Sequence, residues 1–160
     1  MAIALATLTV LGGLTACSSP ADTEELQVGD CLQVGGTVDI PEAEAVPCGS
    51  PESNFKVISK VTGDQICPAD ADSSYSLREA FSSSATTACL DIDWVVGGCM
   101  SVDPEHASDP FRVDCDDTRV PNRQRATQIL NGVASADQCS SGQGYAYGHR
   151  QFTVCVENMA

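Results

Sequence analysis

Hydrophobic residues occur in this chain as one uncharged N-terminal run and then as short segments between polar loops. Residues 55–61 alternate apolar and polar side chains at a period of two, which predicts a β-strand with Phe55, Val57 and Val61 on one face. Similar segments are separated by turns rich in Gly, Ser and Pro, such as residues 49–53. Strands are predicted at 31–34, 44–48, 55–61, 86–92, 99–102, 111–115, 124–130 and 151–156.

One segment favours a helix instead of a strand. Residues 75–81 follow a polar loop and predict one or two helical turns that the serines at 82–84 would end. The predicted fold is therefore a β-rich α+β protein. Its aromatic core is expected to contain Phe55, Trp94, Phe111 and Phe152.

The N-terminal run has the properties of a lipoprotein signal peptide. Residues 1–14 carry no charge and are too few to span a bilayer as a helix, which needs roughly 20 apolar residues. The run ends in Leu14-Thr15-Ala16-Cys17, which resembles the bacterial lipobox. That resemblance implies removal of residues 1–16, lipid on Cys17 and anchoring to the outer face of the cell membrane. An ordinary signal peptide with a chance cysteine is the alternative.

Two features flank this lipobox. Residues 17–27 are polar and acidic, so we expect a flexible tether between the lipid and the folded part. No Lys or Arg precedes Cys17, although signal peptides usually begin with one, and we therefore expect the natural start to lie upstream.

The charge is strongly negative, with 22 acidic and 8 basic residues and a formal net charge of −14. Phosphate repulsion argues against nucleic acid as a partner. The same negative charge argues against membrane binding through a polybasic segment that contacts anionic lipid. Solubility is the simplest role for this acidity, and binding of a cation or cationic partner is the alternative.

Nine cysteines are present, and eight remain once Cys17 is assigned to lipid. An even number in an exported chain indicates disulfides. No Cys-x-x-Cys occurs, which argues against thioredoxin-like chemistry and structural zinc, and we expect no metal and no cofactor.

The cysteines mark an internal repeat of four landmarks. The first set is Gly29-Asp30-Cys31, Val46-Pro47-Cys48, Asp64-Gln65-Ile66-Cys67 and Ala88-Cys89-Leu90; the second is Gly97-Gly98-Cys99, Val113-Asp114-Cys115, Ala136-Asp137-Gln138-Cys139 and Val154-Cys155-Val156. Their common order predicts two tandem modules, residues 28–93 and 94–158, each stapled by disulfides.

Bonds confined to each module leave several pairings open. Sequence neighbours are favoured, because each pair would join two strand-like segments across a short loop and contribute about 3 kcal/mol. The predicted bonds are Cys31–Cys48, Cys67–Cys89, Cys99–Cys115 and Cys139–Cys155.

These landmarks also resemble a known family. Gly29-Asp30-Cys31, Val46-Pro47-Cys48-Gly49-Ser50-Pro51 and the Gly148-His149-Arg150 that precedes Cys155 are similar to motifs of the actinobacterial LppU-type lipoproteins and the related septum-formation-type extracellular domain. Glu52 departs from the septum-type pattern, which often has His there. The resemblance implies an envelope lipoprotein without an established activity.

Catalytic signals are weak in this sequence. His106 and His149 are the only histidines, and no Gly-x-Ser-x-Gly elbow accompanies them. Asp103, Glu105, His106 and Asp109 resemble a weak cation site, although a solvated acidic turn explains them more simply. We expect no enzymatic activity, with an envelope hydrolase as the alternative.

A glycine-rich loop at residues 141–148 carries two tyrosines and leads to Arg150. Tyr145, Tyr147 and Arg150 are the candidate ligand contacts, with ordinary packing of the tyrosines as the alternative. The one basic cluster consists of Arg119, Arg123 and Arg125, which could pair with local acids or contact an anionic partner. The sequence thus predicts a non-catalytic envelope module that binds a protein or glycan, and a structural spacer is a further alternative.

Overall fold

The computed structural model describes residues 21–37, 40–76 and 85–160. Nearly all regular structure in these residues is β-strand. The strands are β1 (Cys31–Gly36), β2 (Pro41–Val46), β3 (Phe55–Thr62), β4 (Ser73–Tyr75), β5 (Thr86–Ile92), β6 (Cys99–Ser101), β7 (Phe111–Val113), β8 (Arg123–Asn131), β9 (Gly144–Tyr147) and β10 (Phe152–Asn158).

The strands form two antiparallel sheets with the same strand order. The first sheet runs β2-β1-β3-β5-β4 and the second runs β7-β6-β8-β10-β9. The register of β3 with β5 shifts after Val57, and the register of β8 with β10 shifts after Ala126. Ile58 and Thr127 are the extra residues of the two bulges. Because a bulge is a specific feature of a strand pair, its recurrence at the same place shows that the repeat extends to backbone detail.

The β-rich character is confirmed, whereas the described residues do not support the α+β class. The one helical element in the described residues is a 3-10 turn at Ala136–Gln138, capped by Ser135. Tyr75, predicted to start a helix, lies in β4, and residues 77–81 of that predicted helix lie outside the described residues. β4 and β9 were not predicted, because short strands within Ser-rich or Gly-rich sequence lack a clear period of two.

Four disulfides join sequence neighbours, as predicted. Each sheet has one bond from its first strand to the segment after its second, Cys31–Cys48 and Cys99–Cys115. Each also has one bond from its last strand to the loop before its fourth, Cys67–Cys89 and Cys139–Cys155. The bonds therefore tie the edges of each sheet to its inner strands.

The two sheets share apolar packing. Met100 and Val102, from the second half of the chain, belong to the buried cluster of the first sheet. Trp94 and Tyr145 contact both that cluster and the smaller one around Ala126 and Val154. Burial of common apolar surface couples the stability of the two sheets.

Two predictions about side-chain direction are corrected by the sheets. The bulge at Ile58 turns the strand, so Lys60, paired with Ala88, shares the face of Phe55, and Val61 lies on the opposite face. Phe111, expected in the core, is 50% exposed because β7 is an edge strand. Phe55 is buried, while Trp94 and Phe152 pack at the margin of the core.

The flexible tether predicted for 17–27 is corrected for its second half. The backbone of Ala21 donates to Ala43 O, and Lys60 Nζ donates to the carbonyls of Glu24 and Leu26 at 2.8 Å. Leu26 is buried in the first core. Residues 1–20, including Cys17 and the predicted signal peptide, lie outside the described residues. Within the described part of the chain, no helix is long and apolar enough to cross a membrane.

Candidate functional site

Arg150 links the second half of the chain to the acidic side chains of the first. Its Nε donates to Asp70 Oδ1 at 3.1 Å, Nη2 donates to the Asp70 carbonyl at 2.6 Å, and Nη1 donates to Asp91 Oδ2. The side chains of Asp70 and Asp91 are each 10% exposed. Tyr147 adds a hydrogen bond to Asp72 Oδ2 at 2.7 Å. We call these five residues the Arg150 junction.

Aromatic rings hold the guanidinium in place. Tyr147 and Phe152 stack with their centroids 4.3 Å apart, and the Arg150 guanidinium carbon lies 4.8 Å from the Tyr147 centroid. Its distance to the Phe152 centroid is 5.3 Å. A cation over an aromatic face is attracted by the ring quadrupole, and Arg suits this geometry better than Lys because its plane can stack.

The pKa values of two carboxyls in the junction, Asp70 and Asp91, shift in opposite directions. Burial acts to raise the pKa of Asp70, but hydrogen bonds from Arg150 and the charge of its guanidinium outweigh burial and lower it. Burial raises the pKa of Asp91, and Arg150 offsets only part of that rise, to which the carboxylates of Asp72 and Asp70 add. Asp91 Oδ1 is buried without a hydrogen-bond partner among the described residues. The junction thus places three carboxyls around one guanidinium.

A second polar contact joins the halves at β7. Arg112 pairs with Asp93 at 3.2 Å, and their side chains are 11% and 8% exposed. Arg112 Nε also donates to Ser50 O at 3.0 Å. Asp93 Oδ2 further accepts from Gly49 N and Ser53 Oγ, each at 2.6 Å. These bonds satisfy the buried carboxylate and fix the loop after β2.

Cys31, Cys48 and Asp93 form the one set of three possible metal ligands that lie within 4.8 Å of one another in the described residues. The two sulfurs are bonded to each other as a disulfide. A metal binds thiolate, not disulfide, so this set offers one carboxylate oxygen, which the bonds from Gly49, Ser53 and Arg112 already use.

An open pocket of about 370 Å³ lies on the second sheet, at the low end of ligand-pocket volumes. Its walls are formed by β8, β9, β10, the loop before β9 and the 3-10 turn, through Gln124, Ala136, Gly142, Gln143, Gly144, Tyr145, Val156 and Asn158. None of these residues is charged, in a chain of net charge −14.

Close packing under the pocket depends on a glycine. A Cβ at Gly144 would lie 2.6 Å from Val154 O and 3.1 Å from Cys139 Sγ. Beside it, the Tyr145 hydroxyl donates to Gln124 Oε1 at 2.6 Å. Burial raises the pKa of Tyr145, so its hydroxyl keeps its proton at neutral pH. The Cys139–Cys155 bond and Gly144 together fix the floor of the pocket.

The two histidines lie on exposed turns. His106 has a φ of 54°, and the backbone N–H of His149 donates to Asp70 Oδ2. Neither imidazole hydrogen-bonds a serine hydroxyl within the part of the chain that the structure describes. The hydrolase alternative therefore has no preformed Ser-His pair in this region.

The acidic turn at 103–109 is organised by its own hydrogen bonds. Asp103 Oδ1 accepts from Glu105 N at 2.9 Å, and Oδ2 accepts from Ser108 Oγ at 3.3 Å. Burial raises the pKa of Asp109. Asp103, Glu105, His106 and Asp109 do not form a compact ligand set among the described residues.

The arginine cluster is paired within the protein. Arg119 binds Asp117 at 2.8 Å, and Arg125 binds Glu157 at 3.2 Å. Arg123 is buried and donates to the carbonyls of Cys115 and Ala160. The local-acid interpretation therefore accounts for Arg119 and Arg125.

The structure separates the three candidate ligand contacts. Tyr145 lines the pocket, whereas Tyr147 and Arg150 lie in the junction. Sequence reasoning missed Gln124, Gln143 and Asn158. No motif marks an isolated amide side chain, and the strand pairing that gathers them is non-local. A comparison with protein-family models, curated proteins and solved structures finds no match to this chain.

Proposed function

We propose that this protein is a non-catalytic, extracytoplasmic binding module held by lipid on Cys17 at the outer face of the cell membrane. The lipobox-like Leu14-Thr15-Ala16-Cys17 supports the anchor. Four disulfides fit an oxidising compartment outside the cytoplasm. The resemblance to LppU-type lipoproteins supports the same location.

The observation that carries the binding role is the joining of the two sheets. The modules, taken as 28–93 and 94–158, are held together by Arg150 and Arg112, each of which pairs with a nearly buried carboxylate of the first module. Such contacts, with the shared apolar core, hold the loops at 140–150 in a fixed relation to the first sheet. A rigid platform reduces the ordering entropy that binding costs.

A hydrolase is the second candidate, favoured only by the exposure of His106 and His149. A binding role requires a fixed surface but no nucleophile. It therefore accounts for more of the described structure than the hydrolase alternative does. A structural spacer would need neither the pocket nor its free amides.

The test is chemical crosslinking in intact cells followed by purification of the lipidated full-length protein. A specific envelope protein or glycan, recovered with the wild type and lost on competition with soluble protein, is the expected result. Recovery of no specific component contradicts the binding role. Hydrolysis of an ester or peptidoglycan substrate, abolished by His106→Ala or His149→Ala, establishes the enzymatic alternative.

A further inference from the structure

The pocket of the second sheet differs from the equivalent face of the first. Strand pairing places Gln124 where the first sheet has Phe55, and Asn158 where it has Ile92. Tyr145 corresponds to Tyr75 in the same way. Phe55, Tyr75 and Ile92 are all buried in the first core. The same backbone thus carries an apolar core in one sheet and an amide-lined pocket in the other.

The amides of the pocket keep hydrogen-bonding capacity. Gln124 uses its Oε1 to accept from Tyr145, which leaves its NH2 group without a protein partner among the described residues. The side-chain amides of Gln143 and Asn158 have no partner there either. An amide offers two donors and an oxygen acceptor with two lone pairs. The pocket therefore presents several donors and acceptors to one small volume.

The lining selects against charged ligands. No lining side chain is charged, so the pocket offers an ion no counter-charge. The net charge of −14 further repels anions. A neutral ligand rich in hydroxyls fits best, because each hydroxyl both donates and accepts, as the amides do. Tyr145 and Ala136, which are only partly buried, supply apolar surface for the carbon–hydrogen faces of such a ligand.

A peptide fits the geometry less well. An extended peptide recognised by a sheet adds to an edge strand through main-chain bonds, in the plane of the sheet. Gln124, Tyr145 and Asn158 project instead from a face of the second sheet, as the equivalent residues Phe55, Tyr75 and Ile92 do in the first sheet. These side chains therefore suit a compact polar ligand that lies above the sheet, and not an extended peptide along its edge.

We infer that this pocket is a binding site for a neutral carbohydrate, held by the amides of Gln124, Gln143 and Asn158 beside the Tyr145 ring. The inference rests on the proposed binding function and names its ligand class. The Cys139–Cys155 disulfide and Gly144 position the loop that closes one side of the site.

The test uses the full-length lipidated protein in nanodiscs, with chitotriose, mannotriose and cellotriose as neutral probes. Calorimetry measures affinity, and emission of Trp94 reports on the site, because Trp94 is the only tryptophan and lies 5.2 Å from the Tyr145 ring. Saturable binding of at least one trisaccharide, with a change in Trp94 emission, is expected. Gln143→Ala and Asn158→Ala each weaken it by about threefold to tenfold, the loss of one hydrogen bond.

Gln128→Ala is the matched control. Gln128 is an exposed amide on the same strand as Gln124, but it pairs with Cys155 and lies on the opposite face. Its removal should leave affinity unchanged. Equal weakening by Gln128→Ala overturns the inference.

Other outcomes separate this inference from the proposed function. Absence of binding by all three trisaccharides overturns the carbohydrate site, and so does binding of a neutral tetrapeptide in their place. If crosslinking in cells still recovers a specific protein, the proposed function stands without this ligand. If neither experiment finds a partner, both fail.

Discussion

The guanidinium of Arg150, in the turn between β9 and β10, binds the carboxylate of Asp91 on an inner strand of the other sheet. Fifty-nine positions separate the two residues in sequence. Arg150 also binds Asp70 through its side chain and the Asp70 carbonyl. One cation therefore compensates two nearly buried carboxylates and adds to the contacts between the two sheets.

Replacement of Arg150 should strongly destabilise the protein. Arg150→Ala leaves the carboxylates of Asp70 and Asp91 without their cation, and we expect the free energy of unfolding to fall by roughly 3 kcal/mol. Arg150→Lys should give a smaller loss, since Lys cannot bind both carboxylates with a rigid fork. Denaturant unfolding of the oxidised protein measures both.

Arg119→Ala is the control for Arg150. Arg119 also pairs with an aspartate, Asp117, but its side chain is 88% exposed. Exposed pairs contribute little, so stability should not change measurably. Equal effects of Arg119→Ala and Arg150→Ala would contradict the role assigned to the junction.

The opposite pKa shifts of Asp91 and Asp70 predict opposite pH effects. Burial raises the pKa of Asp91 above 3.8, so the folded state binds its proton more tightly than the unfolded state. The stability contributed by Asp91 is full below pH 3.8 and is lost as pH rises through its folded pKa. Relative to wild type, Asp91→Asn should therefore gain stability from acidic toward neutral pH.

Asp70 provides the matched comparison. Arg150 overcomes burial and lowers the pKa of Asp70 below 3.8, so its contribution is present above that pH and is lost as pH falls through the folded pKa. Relative to wild type, Asp70→Asn should lose stability as pH rises over this acidic range. Unfolding curves at a series of pH values measure both differences, and the same sign for both would refute the assignment.

Gly144 should tolerate no larger side chain. In Gly144→Ala the new methyl would meet Val154 O and Cys139 Sγ, and we expect a loss of about 1–3 kcal/mol from overpacking. Gly148→Ala is the control, because nothing lies within 4 Å of a Cβ built there. Thermal unfolding of both variants checks this, and tolerance of alanine at both positions would show that the floor of the pocket adjusts.

Removal of the proposed lipid site should separate anchoring from folding. Because the eight other cysteines are paired with one another, Cys17→Ala should keep all four disulfides and the thermal stability of the wild type. The protein should nevertheless be released from the membrane or fail to mature. Fractionation and mass spectrometry measure attachment and acylation. A Cys17→Ala protein that is still acylated would refute the anchor.

The disulfide pairing and the approximate positions of eight of the ten strands could be predicted from the sequence. The cysteine landmarks repeat in the same order, and short loops favour disulfides between cysteines that are neighbours in sequence. The pairing therefore required little long-range information. The strand predicted for 86–92 has the observed bounds of β5, Thr86–Ile92, since β-branched and apolar residues fill most of it.

Which strand faces meet could not be predicted, because it depends on contacts between residues far apart in the sequence. The bulge at Ile58 reverses the side of Lys60 and Val61, and β4 and β9 form because an inner strand offers unpaired backbone groups. Sequence reasoning grouped Tyr145, Tyr147 and Arg150 in one loop. Pairing across the sheets assigns Tyr147 and Arg150 to distant carboxylates and Tyr145 to amides from two other strands, because contacts between non-local strands leave no periodic mark in the sequence.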